Sequence, residues 1–280
     1  MPAPDSVRRP VLPALGLLVW GLFGWAAPAR ALSPTETDPS VIMHAVEERP
    51  TGDRQVGHLQ ITIQDKSGRE RTRSLVTRAM QFDGGTKQLL IFESPADVRG
   101  AGLLSIDYAD GDATDDQWLY LPSLGRTTRI ASGDKSGSFM GTDLTYADMT
   151  QKDPDAYDYT MIDANAEVDG EPCWLIEARP RTDKEKSETG YLKTHLWISK
   201  EKGMALRIKA WVIAGKRLKY TQFSDFKQID GIWIPHKVTV RTMRDGALES
   251  QSILQFTDLK LNQPDVTEAD FTEQRLERGL

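Results

Sequence analysis

The sequence predicts a mainly β chain of the α+β class, built around one large antiparallel sheet of about a dozen strands. Three observations lead there. From Leu59 onward apolar residues alternate with polar ones at period two, beginning with Leu59, Ile61 and Ile63 between Gln60 and Thr62. The turn dipeptides Asp169-Gly170, Lys202-Gly203, Ala214-Gly215, Asp230-Gly231 and Asp245-Gly246 punctuate the second half at hairpin spacing. No helix-length segment separates successive strands, which argues for antiparallel connections and against βαβ crossovers. So many strands accumulate twist until the sheet curls into a barrel or splits into a sandwich.

Residues 1–31 read as a secretory signal peptide. Arg8 and Arg9 give a positive start, Val11 to Ala27 is nearly free of polar groups, and Ala29-Arg30-Ala31 supplies the small-x-small pattern for cleavage after Ala31. No cysteine follows that site, so a lipobox is missing and the product is expected as an exported periplasmic protein. Residues 32–280 are expected to form a single domain. Asp38 before Pro39 places an N-cap ahead of a first-turn proline, and Val41, Ile42, Ala45 and Val46 then form an apolar stripe, predicting a helix over Pro39 to Arg49.

The strands are expected in order. The run from Leu59 to Ile63 turns at Asp65-Lys66-Ser67-Gly68 into Arg71 to Phe82, and Asp83-Gly84-Gly85 turns again into Lys87 to Glu93. Leu103 to Tyr108 and Trp118 to Leu121 follow across an acidic loop. After a Gly-rich interruption from Ile130 to Thr150, seven further runs occupy Tyr157 to Leu261. That interruption is expected to be a lid, a short helix or a loop over the mouth of the sheet.

Composition narrows the function. The chain has 280 residues, 35 Lys+Arg against 41 Asp+Glu, and a formal charge of -6, which provides no basic field for nucleic acid. Cys173 is the lone cysteine, so an intramolecular disulfide is excluded. Nucleophile elbows, P-loops, HExxH helices and paired CxxC motifs are absent, and the four histidines, His44, His58, His195 and His236, show no metal-ligand spacing. The expectation is therefore a protein with no catalytic residue, no metal and no cofactor.

Two phrases carry more than composition: Phe92 to Gly102, which breaks at Pro95 and restarts after two glycines, and Ser136 to Met149, where Phe139 and Met140 sit among small residues. Together with Trp118-Leu119-Tyr120-Leu121-Pro122-Ser123-Leu124-Gly125-Arg126 and Trp233-Ile234-Pro235, these phrases make the chain resemble the periplasmic outer-membrane lipoprotein-sorting-like proteins. That family lies in the superfamily of the lipoprotein carrier and its outer-membrane receptor. The resemblance implies an incomplete β-barrel of about 11 strands, a half-barrel, with a few helices covering its concave side. It also implies a hydrophobic cavity for acyl chains and partnership with a resistance-nodulation-division (RND) type transporter. The function then expected is a carrier or accessory protein for a lipid or an acylated lipoprotein between the inner and outer membranes. An interaction module without lipid cargo and a periplasmic hydrolase are the rivals. Leu90, Phe92, Leu104, Ile106, Trp118, Tyr120, Phe139, Met140 and Trp211 are the candidate ligand-binding residues, with the caution that one register step exchanges every inward residue for its neighbour.

Overall fold

A computed structural model describes residues 32–109 and 113–279. The expected signal peptide, residues 1–31, lies outside the described residues.

Helix α1 (Pro39–Glu47) begins where the Asp38 carboxylate accepts hydrogen bonds from the backbone N–H of Ser40 and Val41, at 2.9 and 3.4 Å. It ends at Glu48, two residues ahead of Pro50, whose ring disfavours further helix. A first meander follows: β1 (Arg54–Asp65), β2 (Glu70–Phe82), β3 (Gly85–Ser94), β4 (Gly102–Tyr108), β5 (Asp116–Leu121) and β6 (Arg126–Arg129). The second is β7 (Tyr157–Val168), β8 (Glu171–Pro180), helix α2 (Asp183–Thr189), β9 (Tyr191–Ser199), β10 (Ala205–Val212), β11 (Arg217–Ile229), β12 (Ile232–Arg244) and β13 (Ala247–Lys260). Helix α3 (Glu273–Arg278) closes the chain.

All neighbouring strands pair antiparallel in one 13-stranded sheet, ordered β6-β5-β4-β3-β2-β1-β13-β12-β11-β10-β9-β8-β7. The two meanders join where β1 meets β13, with Ile61 opposite Leu254. Asp169-Gly170, Asp230-Gly231 and Asp245-Gly246 each have two positive φ angles, the backbone of a type I′ hairpin turn. Strand β6 is the one the alternation does not announce, because Arg-Thr-Thr-Arg has no apolar side to read.

The sheet is curled. From β5 to β9 there are nine strand-to-strand steps, which would separate them by about 43 Å if the sheet were flat. Yet Gln117 of β5 donates to the Tyr146 carbonyl at 3.0 Å, while Asp148, two residues on, accepts from the Tyr191 hydroxyl of β9 at 2.9 Å. Two residues reach about 7 Å, so β5 and β9 face one another across a hollow. The edges β6 and β7 do not pair, which leaves an open half-barrel.

Two layers cover this sheet. Helix α1 and the segment between β6 and β7 lie on the concave face. The C-terminal segment lies on the convex face, packing Val266, Phe271 and Leu276 onto Leu89, Ile91 and Leu104. That is why β3 and β4 are buried on both sides. Gly102, at the start of β4, has room for no Cβ: one would meet Ile91 at 2.6 Å, Leu276 at 2.7 Å and the Leu90 carbonyl at 2.8 Å.

A candidate ligand cavity inside the half-barrel

The hollow is divided into a filled half and an open half. Across β1 to β4 and β13, Phe139 is 1% exposed and packs on Phe92, ring centroids 6.0 Å apart, and on Tyr146 at 5.9 Å. Its loop is fastened from several sides. The buried Asp143 carboxylate accepts from the hydroxyls of Thr242, Ser250 and Ser252, and its backbone N–H donates to Ser252 Oγ at 2.9 Å. Arg73 of β2 donates to the Met140 carbonyl. The segment expected as a lid thus carries a plug, with Phe139, Thr142, Asp143, Thr145 and Ala147 buried.

The open half lies between α1 and strands β7 to β11, where the side chains leave a cavity of about 140 Å³. Its walls are Met43 from α1, Tyr157 and Tyr159 from β7, Ala178 from β8, Leu196 from β9, and Ile208 and Ala210 from β10. Ile208 and Ala210 are two apart, so both face inward, while Arg207, Lys209 and Trp211 face outward.

A polar cluster borders the apolar walls. Asp148 accepts from Lys219 Nζ at 3.0 Å, from the Tyr191 hydroxyl and from the Thr145 backbone N–H, and Lys219 also donates to Tyr191 at 2.6 Å. Burial opposes ionisation of Asp148, but the ammonium groups of Lys219 and Lys152 hold its carboxyl below the usual range. Burial raises Tyr191, and Asp148 beside it reinforces the shift. Burial also raises Glu47, which faces the same cavity from α1.

Asp148 also borders a second opening, about 310 Å³ and polar, lined by Gln55, Gln81, Gln88 and Asp107. Burial, followed by the nearby Asp115 carboxylate, pushes Asp107 up to about 7. Its Oδ1 has no hydrogen-bond partner.

The nine sequence-derived candidates do not converge. Leu90, Phe92, Phe139 and Met140 meet in the filled half. Leu104, Trp118 and Tyr120 lie under the C-terminal segment, and Ile106 shares the strand face of Leu104 two residues away. Trp211 stands on the convex face, 4.6 Å from His195 between ring centres. None of the nine lines the 140 Å³ cavity. Period two gives the alternation but not its sign, and β3 and β4 are apolar on both sides, so sequence could not orient them. Of the tyrosines missed, Tyr157 and Tyr159 sit in a stretch with Asp155, Asp158 and Asp163, and Tyr191 follows Gly190 just ahead of the run Leu192 to Ser199. The pair Ile208 and Ala210, set against Arg207 and Lys209, was the legible signal.

The hydrolase constellation is not assembled among the described residues. His195 Nε2 meets Glu177 at 2.9 Å with no hydroxyl beside it, and His236 Nδ1 lies 3.2 Å from the Ile234 carbonyl. Burial pushes the Cys173 thiol up to about 11, away from nucleophilic thiolate. No group of three metal-ligating side chains occurs among the described residues.

Comparison with known proteins agrees with the architecture. A family model described as an uncharacterized protein matches residues 84–278. An outer membrane lipoprotein-sorting protein domain from Vibrio parahaemolyticus superposes with a TM-score of 0.76 at 27% identity, over 86% of this chain and 98% of that one. A DUF1329 family protein from Desulfovibrio piger gives 0.76 at 28% identity, over 86% and 100%. The fold is shared with a LolA superfamily protein from Nitrosomonas europaea, TM-score 0.64 at 18% identity, over 85% and 98%. No curated protein matches the sequence.

Proposed function

We propose, since this chain belongs to the family whose model spans residues 84–278 and has the half-barrel of outer-membrane lipoprotein-sorting domains, that it is a non-catalytic periplasmic carrier or accessory protein for acyl chains. The observation that carries the reading is the apolar cavity between α1 and β7 to β11. An acyl chain in water costs about 0.8 kcal/mol for each exposed methylene, so the concave apolar wall of Leu196, Ile208 and Ala210 is where such a chain gains most. At about 140 Å³ the preformed space is close to an engineered cavity of roughly 150 Å³ that admits benzene. It seats the end of a chain, and the remainder enters as α1 swings away. Only Ile42 and Met43 of that helix are buried, whereas the segment bearing Phe139 is bolted down.

The cargo in this reading is a lipid or the acyl group of a lipoprotein, moved between the inner and outer membranes with an RND-type transporter as partner. Residues 1–31 are its export signal, cleaved after Ala31, and residues 32–280 its single domain. The shared architecture of the lipoprotein-sorting domain supports the cargo class, and the sequence resemblance supports the partner.

The test is titration with a fluorescent fatty acid whose emission rises in apolar surroundings. Saturable binding is expected for the wild type, with at least tenfold weaker binding for Ala210→Phe, which fills the cavity, and unchanged binding for Trp211→Ala on the opposite face. Absence of binding, or equal binding by Ala210→Phe, would overturn the reading in favour of an interaction module without lipid cargo.

A further inference from the structure

The convex face of β9 to β12 carries a second feature, independent of the cavity behind it. A groove of about 810 Å³ runs over these strands, and among its lining residues are Arg207, Lys209, Lys216 and Arg241, with Asp245 as the acidic member. Their neighbours Lys193, Arg217 and Arg244 each pair with a carboxylate. Among the described residues, none of the four groove cations has a carboxylate oxygen within 4 Å. Arg241 donates to the Gln251 side-chain carbonyl at 2.6 Å, and in a chain of net charge -6 four cations without a carboxylate partner on one face are a local reversal of sign.

Aromatic rings lie beneath those cations. Lys209 Nζ is 4.5 Å from the Trp211 ring centre and 5.7 Å from that of Tyr220, while the Arg207 guanidinium is 5.9 Å from Trp197. Trp197, Trp211 and Tyr220 are each half-buried. Such rings combine an apolar body with a polar tip and favour the headgroup level of a bilayer, where long cationic side chains reach outward to anionic headgroups. The groove is broad and open, so it matches an extended charged surface better than one enclosed ion.

We propose that this convex face docks on anionic phospholipid at a membrane surface, with Arg207, Lys209, Lys216 and Arg241 contacting phosphates and Trp211 and Tyr220 resting at headgroup depth. Each such cation contributes about fivefold to membrane affinity. Docked in this way, the acyl cavity stays on the far side of the sheet, so docking and cargo binding use different residues.

Co-sedimentation of the chain lacking residues 1–31 with vesicles of phosphatidylcholine, with and without phosphatidylglycerol, tests the proposal. Binding is expected only with phosphatidylglycerol and is lost at high salt. Arg207→Gln with Lys209→Gln should weaken it about 25-fold, while Arg207→Lys with Lys209→Arg retains it. The charge-matched control Arg126→Gln with Arg278→Gln, on β6 and on α3 beside it, away from the groove strands, should bind like the wild type. Thermal unfolding and fatty-acid titration of the same variants report fold and cavity separately. Equal sedimentation with both vesicle types, equal weakening by the control pair, or full competition by soluble glycerol phosphate would overturn the proposal.

Discussion

Asp148, mostly buried, and Asp107, buried, are carboxyls 41 positions apart in sequence that border one opening, and they answer pH in opposite senses. Asp148 is held below its ordinary value, so its ion pair with Lys219 stabilises the fold above that value and is lost as pH falls through the depressed one. Lys219→Met leaves a buried anion short of its main partner and should cost about 3 kcal/mol at neutral pH. Denaturant unfolding across pH should show that deficit shrinking in acid as Asp148 takes a proton; a deficit constant with pH would contradict the assignment. Asp107 is raised to about 7, so the folded state holds a proton that the unfolded chain releases at lower pH. Stability should therefore fall as pH rises from the ordinary carboxylate range through about 7. Asp107→Asn should remove most of that slope and be more stable than wild type at pH 8, by on the order of 3 kcal/mol. Identical pH profiles would show that Asp107 is not the group responsible.

Among the elements, the segment between β6 and β7 most changes how the molecule works. Its glycines and polar residues suggested a lid, but Asp143 gathers hydroxyls from β12 and β13 and sets Phe139 in the core. Asp143→Ala leaves three hydroxyls without their acceptor and should lower stability by about 3 kcal/mol, with Asp143→Asn recovering part. Chemical denaturation checks this, and a loss below about 0.5 kcal/mol would mean the plug is not anchored there. The strands were legible wherever apolar residues alternated or a dipeptide such as Asp230-Gly231 forced positive φ. What stayed hidden was long-range: which face of β4 turns inward depends on Phe271 and Leu276, more than 160 positions later, covering the other. The same absence of local signal concealed Lys219, which looks like a solvated strand cation until Asp148 is folded onto it.

For the whole molecule, the half-filled hollow sets the space open to the proposed cargo. The meander order was implied by hairpin spacing, whereas the β1 to β13 seam, with Ile61 opposite Leu254, joins strands from the two ends of the sheet's sequence and had no local signal; the edges β6 and β7 stay unpaired. The plug occupies the β1 to β4 side, so the cavity lies on the α1 side, and the cationic groove lies on the reverse of the cavity strands. Native mass spectrometry of protein recovered from the periplasm of the producing cells measures the central claim directly. The account predicts a chain starting after Ala31 that carries the added mass of one lipid, and an Ala210→Phe variant that arrives folded and empty. A wild-type protein without lipid, or the two proteins carrying equal amounts, would contradict it.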